Sequence, residues 1–494
     1  MTRSTAEIAI IGAGAAGCAA ARMLASWGHD VVVFARPAAT ERTLGESLPP
    51  SCVALLDRVG VTGHDSSGFL RCTGNTVHWG NGNARVEPFA SGAYGYQVER
   101  AAFDALLARE AVRDGALIHG GSHVTAVNRN EGGFEVAFER DGKSERLDTR
   151  WVLDCSGRAG LVARNTWRLA EQGTRTTAIV GVWERGAPWP TPDPSHTVVE
   201  STANGWAWSV PVSERRRYVT LMVDPTITPV ANRQRLGAAY LTELARSPGL
   251  NALVHGATLA GSVFARDSSP YQSRAYGERG VLLVGDAGSF VDPLSSYGIK
   301  KALASAWLAS VVVHSILLDD TIAAAALELF NARERAMYAA LTRMAAALAR
   351  EAAQAHPTAF WEARAGAIDR DPGLEPDVTA LREDRDVLRS FDELRTRESL
   401  RLRPSPLVRR VSRPTVRGNR VVVEDHLVVP AFPDGIRYVR NVDLVRLSEL
   451  APSHDQVPDL FDAYNRVASP APLPDFLGAL SLLIGKGFLE WNLA

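Results

Sequence analysis

The chain has 494 residues, room for two or three domains and a large core, and its 54 Lys and Arg against 55 Asp and Glu leave a net charge of -1. That balance, without a basic stripe, argues against a nucleic-acid or membrane-surface partner. Met1 to Glu7 carry no apolar signal segment, no run of some twenty apolar residues is unbroken, and Cys18, Cys52, Cys72 and Cys155 lack CxxC or metal spacing, so a cytoplasmic chain with reduced thiols, no membrane span and no metal is expected.

Ala6 to Ile11 is a short apolar run suited to a buried parallel strand, and Gly12-Ala13-Gly14-Ala15-Ala16-Gly17 then opens a small-residue helix through about Trp27. Gly12 permits a tight turn, Gly14 lets backbone approach a pyrophosphate, and Gly17 allows close helix packing, with Ala16 beside them in the same contact. A second strand, Asp30 to Phe34, completes a βαβ unit. Where an acidic ribose ligand is usual, the chain reads Phe34-Ala35-Arg36. Arg36 either lies against adenosine or its phosphates or is a solvated surface residue.

Further segments follow in order. Gly45-Glu46-Ser47-Leu48-Pro49 is a short loop, Gly68 to Gly80 carries Cys72 and Trp79, and Tyr96 to Asp104 carries Arg100. Trp151 to Gly157 is a strand ending near Asp154, and Gly205 to Pro211 holds Trp206 and Trp208 at period two, which puts both on one face of a strand. Gly280 to Ala287 is a buried strand ending in Gly285-Asp286, and Asp292 to Ala306, through Tyr297, Gly298 and Ile299, opens another small-residue helix.

The glycine fingerprint and the segments around Arg100, Asp154 and Asp286 resemble the flavin motifs of the para-hydroxybenzoate-hydroxylase-like oxygenases. That resemblance implies non-covalent FAD, with Arg100 on a flavin phosphate, Asp286 on the ribityl chain and the backbone from Tyr297 to Ile299 facing the isoalloxazine. The loop with Glu46 and Ser47 and the Trp206-x-Trp208 signature resemble, within that group, the flavin-dependent halogenase branch typified by tryptophan halogenases. The insertion of Tyr297 breaks the match to its Ser-Ser-Gly loop.

In that branch an essential lysine acts on the oxidised halide, and the local pattern aligns Cys72 with it. A thiol with a reference pKa of ~8.5 cannot replace that cation. The chain's lysines are only Lys143, Lys300, Lys301 and Lys486, which leaves Arg71 as the neighbouring cation. Cys72 can equally be an inert buried thiol. The resemblance sets Cys72, Trp79, Trp206, Trp208 and Tyr297 in the substrate pocket. Glu46 is the candidate catalytic residue for proton transfer or substrate positioning, its alternative being a carboxylate tied to loop amides.

The expected fold is α/β: a Rossmann-type FAD-binding domain from 1-165 and 270-345, an inserted antiparallel β-sheet substrate domain at 166-269, a helical connector at 346-414 and a small winged-helix-like domain at 415-494. The expected reaction is hydroxylation of an electron-rich aromatic ring, indole or phenol, by an FAD-dependent monooxygenase using O2 and flavin reduced by NAD(P)H directly or through a reductase. A halogenase lacking the usual lysine, a non-catalytic flavin scaffold and a saturase- or dehydrogenase-type flavin reaction are the alternatives.

The last ninety residues are unexpected for this branch. Beyond an Arg- and Pro-rich connector, Arg401 to Pro414, two strands at 420-429 and 435-439 precede helices at 442-450, 457-464 and 473-484 and a final strand. That order resembles the small domains that hold leader peptides for peptide-modifying enzymes, and a structural cap is the competing reading. Together with Gly45 to Pro50, Cys72 and Asp292 to Ala302, it resembles flavoproteins that hydroxylate a peptidyl tryptophan in tryptophylquinone maturation, which implies a peptide or protein substrate.

Overall fold

The computed structural model describes residues 5-37, 43-62, 68-80, 84-164, 166-228 except 171-173, 230, 235-366 except 296, and 384-492 except 431. It divides into two compact units, Met1–Arg370 and Asp371–Ala494.

The first unit is organised by a sheet whose central strands run parallel, in the order Val281–Leu283, Lys143–Asp154, Thr5–Ile11, Val31–Phe34 and Leu117–His119. Val31–Phe34 is buried throughout and Thr5–Ile11 nearly so, as a sheet covered on both faces requires. The helices Ala15–Ser26 and Gly298–Leu318 pack against each other. Gly17 makes the first helix fit, because a Cβ there would lie 1.9 Å from the carbonyl oxygen of Gly12. The Gly298–Leu318 helix is long and apolar enough to cross a membrane, and most of it is buried in the interior of this unit.

A second sheet has the strand order Thr258–Asp267, Thr177–Glu184, Arg216–Val223, Gly205–Pro211, Thr197–Thr202, Gly74–His78, Arg85–Pro88. The expected inserted sheet at 166-269 is thus extended by two strands from the 1-165 segment, and it is not wholly antiparallel. Thr197–Thr202 pairs in parallel with Gly74–His78, since the connection between them passes through the other sheets. A small third sheet orders Gly45–Leu48, Gly95–Glu99 and Leu70–Cys72. The boundary expected at 345 falls inside one helix, Ala323–Ala355, whose alanine-rich sequence offers no break there.

The second unit holds its own core, including Leu427, Val442, Leu447, Leu460, Tyr464, Phe476 and Leu483. Helices Leu444–Leu450, Val457–Val467 and Leu473–Gly485 follow a three-stranded sheet, and the strand Leu489–Trp491 closes the sequence. The expected connector Arg401 to Pro414 is corrected here: Arg409–Arg417 is a strand, paired over its length with Arg420–Val429 through a turn at Gly418 and Asn419. Its Val and Thr residues favour the extended chain, and arginine tolerates an edge. Of the charged stretch 364-402, residues 367-383 lie outside the described residues.

Candidate functional site

A cavity of about 440 Å³ opens at the carboxyl ends of the parallel strands, lined by Ile11, Phe34, Ser156 and Asp286. That is where a doubly wound sheet receives its ligand. Gly12, at φ +106°, turns the chain there, and its N–H donates to the Phe34 carbonyl at 2.8 Å. The helix that follows has no side-chain cap from Gly14; the Asp104 carboxylate meets its Ala15 N–H, and the remaining amides of the first turn face the cavity for an anion. A Cβ on Gly14 would stand 3.5 Å from Arg100 Nη2, within the space such an anion needs. Gly12, Gly14, Ala16 and Arg36 all line this cavity, while Gly17 serves helix packing.

Arg100 starts the helix Arg100–Arg113 and donates from Nε to Asp104 Oδ1 at 2.9 Å and from Nη1 to Glu46 Oε1 at 3.4 Å. Burial pushes the Glu46 carboxyl up, Arg100 pulls it back, and Asp104 and Asp286 push it up again. Asp104, half-buried beside the same guanidinium, is also raised, the loss of solvent outweighing Arg100. A carboxyl so placed can hold a proton that an exposed one would release.

A second cavity of about 520 Å³ shares Arg36, Arg100, Ser156, Asp286 and Ala302 with the first and continues to the large sheet. Glu46 and Ser47 form one side, Gly298 and Ile299 another, and Trp206 and Trp208 line the sheet side with their rings stacked 4.7 Å apart. The structure therefore brings together the expected fingerprint, Arg36, Arg100, Asp286, the Glu46 loop, the Gly298 helix and both tryptophans.

Three expected pocket residues do not join them. Cys72 lies on the strand Leu70–Cys72, separated from the Glu46 strand by Gly95–Glu99, and its buried thiol donates to the Gly74 carbonyl at 3.1 Å. Trp79 donates from its indole to the Leu348 carbonyl at 3.1 Å and meets the edge of Trp361, behind the cavity wall. Tyr297 precedes the Gly298 helix with its ring under the Lys300 ammonium, 4.4 Å away, and is not among the lining residues. Each sits one strand or one turn from the lining, a distance that local pattern cannot resolve. Arg71, the neighbouring cation, stacks over Tyr94 at 4.4 Å.

Sequence reasoning passed over several charged groups. Arg158 and Arg266 line the second cavity, Arg158 lying 4.0 Å over the Phe290 ring and donating to Asp267 at 2.9 Å. Asp292 and Arg364 form a buried pair, 3.7 Å apart, behind the turn that supplies Pro293 and Leu294 to the wall. Lone arginines in a chain rich in them gave no signal. Among the described residues no cluster of His, Cys, Asp and Glu could hold a metal ion.

The cradle at Gly14, the guanidinium at Arg100 and the aromatic wall fit a dinucleotide with a planar ring, as FAD is. A tryptophan halogenase family profile matches residues 81-401. A tryptophan 2-halogenase of Chondromyces crocatus is 30% identical over 340 residues, 66% of this chain and 65% of that protein, so the alignment spans slightly under two thirds of the relative's length. Two solved structures extend the likeness of fold to nearly the whole chain. They are the flavin-dependent halogenase CmlS, at 22% identity and TM-score 0.77 over 99% of this chain and 96% of that one, and the peptidyl tryptophan dihydroxylase QhpG, at 22% identity and TM-score 0.70 over 97% and 99%. The C-terminal unit is therefore not foreign to a halogenase, which corrects the expectation that it sets the chain apart. Family profile, relatives and fold agree that the chain belongs to the tryptophan halogenase family of FAD-dependent enzymes.

Proposed function

We propose that the chain is an FAD-dependent monooxygenase that hydroxylates an electron-rich aromatic ring, indole or phenol, borne on a peptide or protein, and that it acts in the cytoplasm. The observation that carries this reading is the absence of lysine from the cavity. All four lysines are described: Lys143 lies on the strand Lys143–Asp154, Lys300 stacks on Tyr297, Lys301 is buried against Asp286, and Lys486 belongs to the second unit. None lines either cavity, so no ammonium is offered to an oxidised halide. The peptide-borne substrate is that of QhpG, whose fold this chain shares as it shares that of the halogenase CmlS.

FAD reduced by NAD(P)H, directly or through a separate reductase, supplies activation of O2. The chain's own residues do the rest. Arg100 and the Gly14 amides bind the pyrophosphate, Asp286 and the Gly298 backbone orient the ribityl chain and ring, and Trp206 and Trp208 exclude water from the wall where an aromatic ring would stack. Glu46, held by Arg100 at Oε1 on the side of the cavity, is the carboxyl placed to exchange a proton with the oxygen that is transferred or released.

Halogenation is the second reading, favoured by the family profile and the Chondromyces relative. Turnover in bromide or chloride separates the two. An added oxygen with no halide dependence is expected, and a halogen isotope pattern in the product mass would overturn the hydroxylase reading.

A further inference from the structure

Lys301 occupies a place that disfavours a cation. It lies in the first turn of the Gly298–Leu318 helix, the positive end of the helix dipole, and its side chain is 4% exposed. Its ammonium is nonetheless met on three sides: Nζ donates to the Gly285 carbonyl at 3.1 Å, to Asp286 Oδ1 at 3.2 Å and to the Ser289 carbonyl. Other groups hold the rest of the same turn. The Ser305 hydroxyl accepts from the Gly285 N–H at 2.9 Å, the Tyr271 hydroxyl donates to the Asp286 carbonyl, and the Ser273 hydroxyl donates to the Gly288 carbonyl at 2.7 Å. Glu334, buried on the Ala323–Ala355 helix beside Ser305, faces Lys301; burial pushes its carboxyl up to about 7 against the pull of that ammonium. Methionine would fill this space without burying charge, so the charge has a use.

We propose that Lys301 is a positioning residue of the flavin site: its ammonium clamps the Gly285 to Ser289 turn and aims the Asp286 carboxylate into the cavity, adding positive charge behind the cofactor. The inference rests on the reading of this cavity as the FAD site. A clamp of this kind makes the ribityl partner ready before FAD arrives, so its effect falls on affinity rather than on the fold.

Titration of the apo-protein with FAD, followed by flavin fluorescence and paired with thermal melting, tests it. Lys301→Gln, and the double variant Lys301→Met with Glu334→Gln that removes both charges, should each bind FAD about tenfold more weakly, the scale of one lost charge-assisted contact. Native affinity in the double variant would show that the two residues only neutralise each other, and would overturn the proposal. Glu334→Gln alone keeps the clamp, so its FAD affinity should remain native; a loss equal to that of Lys301→Gln would trace the effect to packing and also overturn it. At pH 8 the same variant removes the Glu334 charge and leaves Lys301 with Asp286 as counter-ion, and the midpoint potential of bound flavin should move positive. An unmoved potential would refute the charge acting on the cofactor, even if no Lys301 variant folds. Asp286→Ala separates the two levels: weakened FAD there with unaltered Lys301 variants defeats this inference alone, whereas native affinity in Asp286→Ala defeats the FAD assignment of the cavity.

Discussion

The two ends of the cavity are built by different means. At the glycine end the ligand surface is backbone, exposed because Gly12 and Gly14 lack side chains and held by sheet register and one helix start. At the tryptophan end the surface is side chain, contributed by Trp206, Trp208, Leu294 and Ile299 from elements far apart in sequence. At the first end an added side chain takes the space of the ligand itself. The second tolerates exchange at the cost of fit, so it is the end free to change substrate while the cofactor stays the same.

Substitutions can break this contrast in graded steps. Gly17→Ala should do the most damage, because its Cβ would overlap the Gly12 carbonyl oxygen 1.9 Å away; expression in the insoluble fraction, or a melting transition lost altogether, would register it. Gly14→Val should fold, since the nearest atoms to its Cβ are 3.5 Å or more away, yet it should bind FAD at least about a hundredfold more weakly, seen as colourless protein after purification. Trp208→Ala at the other end should keep FAD and lose coupling, so that oxygen uptake by reduced protein continues while hydroxylated product falls several-fold. Loss of flavin from that variant would erase the contrast between the ends.

The smallest effect is one of pH. The raised Glu334 carboxyl, near 7 when folded and about 4.3 in an unfolded chain, binds its proton more tightly in the native state. Its contribution to stability is therefore complete below the unfolded value and is lost as pH rises through the folded one. Melting temperature should decline between pH 5 and 8, and Glu334→Gln should flatten that slope. An equal slope in the variant would assign it to other groups.

The same contrast explains what could be read from sequence. Gly12, Gly14 and Gly17 announce themselves because all three fall within one six-residue fingerprint, and Asp286 stands three residues past the apolar strand Val281–Leu283. Cys72 and Trp79 show the limit. The family resemblance sets them in the pocket, but the order of three short strands turns Cys72 away from it, and Trp79 is drawn off by Leu348 and Trp361. Those partners lie more than 250 residues farther along, beyond the reach of any local pattern. The strand Arg409–Arg417 was hidden for a related reason: arginine and proline mask the alternation that marks a strand, and only its register with Arg420–Val429 reveals it.

The four cysteines give the molecule a property that bears on its working life. Every one is buried, and burial drives the Cys18 and Cys52 thiols up to about 12 and raises Cys155, which lines the first cavity, well above its ordinary value. Only the thiolate climbs the oxidation ladder readily. A cavity bordered by the chain's own sulfur thus keeps that sulfur protonated, and its resistance to oxidation is set by the packing of the core.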